Sequence, residues 1–102
     1  MKKLLVLSRQ TRQTEAFKKA ASEYVIKNNV DIQWGFSGEN QYIQLLEMES
    51  YDCVLVSPEL MVELNKIKLE CESINMKCLE LNAADFGLRR VENIIKAVNK
   101  VL

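Results

Sequence analysis

The densest polar chemistry in the chain is a seven-residue stretch, Ser8, Arg9, Gln10, Thr11, Arg12, Gln13 and Thr14, between two apolar segments. Hydroxyls and guanidiniums that lead into a helix start can hold an anion, because the first backbone N–H groups of a helix are free and its dipole is positive there. Arginine adds a planar, charge-assisted donor set suited to phosphate or carboxylate. The same residues also have plainer uses: hydroxyls cap helices, arginines face solvent, and no glycine is present to let the backbone wrap closely around a phosphate. Ser8 is a nucleophile only if a base activates it, and the chain contains no histidine, which leaves a lysine or a carboxylate for that task.

Other chemistry-bearing residues are sparse. The three cysteines, Cys53, Cys71 and Cys78, show no CxxC spacing and lie in apolar surroundings, so they read as reduced thiols acting as small core residues. With no histidine and no paired cysteines, no metal site and no cofactor are expected. Ser57, Pro58 and Glu59 follow an apolar run and place a carboxylate beside the Ser8–Thr14 loop, although Pro-Glu is also an ordinary helix start. The segment Asn82–Gly87 holds Asp85, an exposed-reading Phe86 and Gly87, and reads either as a contact surface or as a turn. Asp52 precedes its apolar run, the wrong end for a receiver-domain aspartate.

Hydrophobic periodicity supplies the elements that must position these groups. Leu4–Leu7 and Cys53–Val56 are continuous apolar runs, as strands buried on both faces require. Val30–Trp34 alternates and ends at Gly35, as an edge strand does, and Cys78–Leu81 makes a fourth strand. Phe17, Ala20, Ala21, Tyr24 and Val25 form a helical stripe from Thr14 to about Asn28, where the Asn28-Asn29 pair stops it. A short helix near Tyr42–Ser50, an amphipathic helix from Glu59 to about Ser73, and a last stripe from Val91 to Leu102 complete the order. Strands alternating with helices over short loops imply right-handed crossovers and a parallel sheet covered on both faces, an α/β three-layer sandwich. Ligands of such sheets bind outside the carboxyl ends of the strands, which selects the loops after Leu7, Trp34, Val56 and Leu81.

Composition narrows the function classes. At 102 residues, with 48% hydrophobic and 27% charged residues, the chain makes one globular domain, 1–102. Fourteen basic residues balance fourteen acidic ones, which removes the general electrostatic drive toward nucleic acid or an anionic membrane. The N-terminal MKKLLVLSRQTRQ has four consecutive apolar residues, too few for a signal-peptide core or a membrane span, so a cytoplasmic location without membrane insertion is expected.

Three strings carry a family resemblance: KLLVLS entering the hydroxyl-rich loop, YDCVLVSPEL, and CLELNAADFG. In their order the chain resembles the lactose/cellobiose-type IIB component of the bacterial phosphoenolpyruvate-dependent sugar phosphotransferase system over nearly its full length. The resemblance implies a flavodoxin/Rossmann-like sheet of order 2-1-3-4, with IIA and IIC components as partners. It implies that a residue at the end of the first strand takes a phosphoryl group from a IIA histidine and passes it to sugar at IIC. In that family the residue is a cysteine; Ser8 stands in its place here, with Arg9 to Gln13 as the phosphate-holding loop and Thr14 matching a family threonine.

Two roles follow. One is a phosphocarrier of the lactose, cellobiose and oligo-β-glucoside class, with Ser8 or Thr11 as acceptor or a cysteine recruited by movement. The other is a non-catalytic IIB-like module that binds an anion or a phosphotransferase-system partner in a regulatory role. Ser57, Pro58, Glu59, Asp85, Phe86 and Gly87 are the expected partner surface.

Overall fold

A computed structural model describes residues 1–102. Strand β1 (Lys2–Leu7) leads into helix α1 (Arg12–Asn28), β2 (Ile32–Ser37), α2 (Tyr42–Met48) and β3 (Cys53–Val56). A 3-10 segment (Pro58–Glu63), α3 (Leu64–Ser73), β4 (Cys78–Glu80), α4 (Ala83–Gly87) and α5 (Val91–Val101) follow. The strands form one parallel sheet of order β2-β1-β3-β4, as the sequence implied.

The two central strands explain the continuous apolar runs. Alternate residues of β1 and β3 point to opposite faces, and both faces are covered. Leu4, Val6, Cys53 and Leu55 pack with Phe17, Ala21, Phe86, Val91, Ile94 and Val98 from α1, α4 and α5. Leu5, Leu7, Val54 and Val56 pack with Tyr42, Leu60, Leu64, Ile67 and Cys71 on the other side. Each such aliphatic or aromatic side chain stabilises the fold by about 1.5–3 kcal/mol. Phe17 pins α1 to the sheet, stacked 4.9 Å from Phe86 and edge-on to Trp34 at 5.9 Å.

Four local expectations are corrected. Helix α1 begins at Arg12, two residues before Thr14, because Thr11 is the N-cap and accepts from the Thr14 N–H at 3.2 Å. Strand β2 starts later than Val30 and runs through Gly35 to Ser37, since all six of its residues register against β1. The Glu59–Ser73 helix is broken: Leu60 leaves helical geometry (φ −108°, ψ 26°) to bury against the sheet, so a 3-10 segment precedes α3. Asn82–Gly87 is not a turn but a short helix, α4, with Asn82, Ala83 and Ala84 exposed. Asn82 caps α4 by accepting from Ala84 N–H at 2.9 Å and Asp85 N–H at 3.2 Å, which turns Phe86 into the core at 0% exposure.

Candidate functional site

The chain leaves β1, builds β2 on one side of it, then crosses back to place β3 on the other. The strand order therefore reverses between β1 and β3, and the crevice lies above their carboxyl ends. Its walls are the Ser8–Thr11 loop with the start of α1, and the Ser57–Glu59 segment.

Ser8 follows β1 directly at 5% exposure, with its N–H donating to the Ser37 carbonyl at 2.9 Å. Beyond it the loop turns tightly: the Thr11 N–H donates to the Arg9 carbonyl at 2.9 Å. Thr14, buried in the first turn of α1, holds its hydroxyl 2.6 Å from that same carbonyl.

Three donors of this loop are already taken. Glu59 reaches across from the end of β3, and its Oε1 accepts from the Arg9 N–H at 3.1 Å. The same oxygen lies 2.7 Å from the Thr14 hydroxyl, while Oε2 accepts from the Thr11 hydroxyl. A carboxylate is thus seated at the positive end of a 17-residue helix, where a bound anion is most favoured. A second carboxylate, Glu63, stands 3.9 Å from the Arg9 guanidinium.

On the β2 side of Ser8 the site is open. A cleft of about 410 Å³ is lined by Ser8, Arg9, Gln10 and Thr14 from one wall and by Phe36, Ser37, Gly38 and Glu39 from the other. Lys18 leans over the Phe36 ring at 5.5 Å. Arg12 and Gln13 are exposed on the first turn of α1 and lie outside this lining.

The structure brings Ser8, Arg9, Thr11, Thr14 and Glu59 together and disperses the rest of the expected surface. Ser57 is 1% exposed and Phe86 is 0% exposed, so neither offers contact area; Pro58, Asp85 and Gly87 are half-buried. Asp85 instead pairs with Arg90 at 3.8 Å and accepts from the Asn93 amide at 3.2 Å. Among the lining residues, Phe36 and Ser37 fall in the stretch after Trp34 that the topology selects, while Lys18 carries no local signal.

Cys53 is out of reach of the loop. Cys53 begins β3 and pairs with Leu4, whereas Ser8 follows Leu7, which pairs with Val56. Three to four strand residues separate the levels, roughly 10–13 Å at the usual rise per residue. Burial also holds the Cys53 thiol protonated, with its pKa pushed up to about 11. Recruitment of Cys53 by movement would require its thiol to leave the core. No group of three or more His, Cys, Asp or Glu side chains is placed to hold a metal ion, and no helix is long and apolar enough to cross a membrane.

No family model and no curated protein matches the sequence. Among solved structures, the fold matches the lactose-specific IIB component domain of the phosphoenolpyruvate:carbohydrate phosphotransferase system from Streptococcus pneumoniae, with a TM-score of 0.73. The chain has the IIB fold. The match covers 93% of this chain and 95% of that one at 12% identity, so the architecture is shared from end to end while the side chains have diverged. Within the IIB fold, the loop after β1 occupies the topological switch point, and in this chain Glu59 fills it.

Proposed function

We propose that residues 1–102 form a single IIB-like domain that serves a phosphoenolpyruvate-dependent sugar phosphotransferase system, of the lactose and cellobiose class, without itself carrying the phosphoryl group. It works as a regulatory module that docks on IIA-type and IIC-type components. The observation that carries this reading is the Glu59 carboxylate, hydrogen-bonded by Arg9 N–H and the Thr11 and Thr14 hydroxyls of the loop.

Three physical arguments support it. Ser8 presents a hydroxyl where a thiolate would be the nucleophile, and a serine oxygen gains little nucleophilicity without a positioned base. Glu59, the carboxylate at the loop, is engaged by other donors. A phosphoryl group carrying −1.5 to −2 charges would share the loop with that carboxylate. At 4 Å and near-surface dielectric, each pair of like unit charges costs about 4 kcal/mol. The loop is arranged to keep one anion, and the chain supplies it.

The test is phosphoryl transfer from phosphoenolpyruvate through the general phosphotransferase proteins and a panel of IIA components, read by intact mass and site mapping, with IIA binding measured in parallel. The expected result is IIA binding with no phosphate retained on this chain. Phosphate mapped to Ser8 or Thr11 would make it a working carrier with an oxygen acceptor, and absence of binding to every IIA would remove the phosphotransferase role.

A further inference from the structure

The switch-point loop leaves one reactive cluster unused, at the opposite edge of the sheet. Helix α3 ends at Ser73, and the Ile74 and Met76 N–H groups both donate back to the Cys71 carbonyl, at 3.2 and 2.8 Å. Asn75 takes a left-handed conformation (φ 58°), so the chain reverses within a few residues and enters β4 at Cys78. Strand pairing of Cys78 with Val54 directs its side chain onto the face where Cys71 is packed. Both side chains pack in that one apolar layer, next to each other across the turn.

They are not equivalent. Cys71 is fully buried, while Cys78 lies on the edge strand and is partly open to solvent. The neighbouring Cys71 thiol lowers the Cys78 pKa, burial opposes that, and the charge of Lys68 lowers it further. The neighbouring Cys78 thiol and then burial raise that of Cys71. Cys53, the third thiol, faces the opposite layer of the sandwich and donates to the Val54 carbonyl.

We infer that Cys78 is a thiol–disulfide exchange site for low-molecular-weight disulfides, with Cys71 as the resolving thiol. In the first step the Cys78 sulfur attacks one sulfur of RSSR, forming Cys78–SR as the RS–SR bond breaks, and the Cys78 proton leaves with the released RSH. In the second, the Cys71 sulfur attacks the Cys78 sulfur, the Cys78–SR bond breaks, and the Cys71 proton leaves with the second RSH. Two protein thiols are oxidised to one disulfide, and one RSSR is reduced to two RSH. The turn holds the partners in place beforehand, so closing this short ring loses little further chain entropy. Attack by the more acidic, more accessible thiol and resolution by the buried one is the order that thiolate availability dictates.

The experiment treats the folded chain with oxidised glutathione and follows intact mass and peptide maps. The wild type is expected to lose two hydrogen atoms, with Cys71 linked to Cys78, and to regain them with dithiothreitol. C71S is expected to stop at glutathione on Cys78, C78S to stay unmodified, and C53S to close like the wild type. Circular dichroism of each variant shows that the fold persists, and C71A replaces C71S if the serine does not fold. Glutathione retained on wild-type Cys78, a link through Cys53, or no reaction over hours would each overturn the assignment.

Discussion

The Thr14 hydroxyl lies 2.7 Å from Glu59 Oε1, joining the first turn of α1 to the segment after β3 across 45 residues of sequence. This contact makes the Glu59 carboxylate an internal ligand of the loop, and it sets a competition: an outside anion can use these donors only when Glu59 is displaced. In the wild type, phosphate is expected to leave the melting temperature unchanged beyond a matched chloride control. E59A is expected to be less stable by about 1–3 kcal/mol, the worth of hydrogen bonds to a charged group. Phosphate at about 100 times its Kd then restores about 2.7 kcal/mol to that variant. Thermal melts of both proteins across a phosphate series check this, and an equal phosphate response in the two would sink the idea that Glu59 closes the site.

Much of this arrangement was legible in the chain, and the part that was not has physical causes. Leu4–Leu7 and Cys53–Val56 declared themselves because a strand covered on both faces must be apolar at every position. Topology then placed Glu59 beside the Ser8 loop without any contact being known. The hydrogen bonds themselves depend on the 3-10 segment that starts at Pro58, and that segment exists because Leu60 turns into the core. No local pattern encodes such a break. Phe86 was misplaced for a related reason: α4 has five residues, little more than one turn, too short to show a helical period. Gly35 looked like a loop residue because glycine usually marks one, whereas here the six-residue register with β1 carries the strand straight through it.

The same Gly35 gives a sharp test of packing on the edge strand. A Cβ built there would fall 2.5 Å from Tyr51 Oη and 3.0 Å from its Cε1. Moving Tyr51 aside would give up its hydroxyl's contact with Glu49 at 3.4 Å and the Lys3 ammonium 5.1 Å from its ring centre. G35A is therefore expected to lose about 1–3 kcal/mol by overpacking. G38A, where a Cβ meets nothing within 4 Å, is expected to stay within about 0.5 kcal/mol of wild type. Urea denaturation of both variants decides, together with the G35A/Y51A double mutant, whose two effects should be less than additive because removing the ring removes the clash. Equal stability of G35A and G38A would mean that Tyr51 moves aside freely.

Stability against alkali tests the burial of Cys53. Burial is the leading cause that pushes this thiol up to about 11 from the ordinary value of 9.0. The raised folded pKa fixes the sign: below pH 9 the thiol is protonated in both states and its contribution is fully present. Between pH 9 and 11 the unfolded chain gives up the proton while the folded chain keeps it, so stability falls as pH rises. A shift of about two pKa units corresponds to roughly 3 kcal/mol lost across that window. Tyr42 and Cys71, also raised, push in the same direction in any variant that keeps them. C53A is expected to be less stable than wild type at pH 7 by a fixed cavity penalty, and this gap should narrow between pH 9 and 11 as the wild type alone loses the Cys53 contribution. Urea midpoints of the two proteins measured from pH 7 to 11 provide the comparison; curves that remain parallel throughout would show that the Cys53 thiol ionises in the folded state as easily as in the unfolded chain.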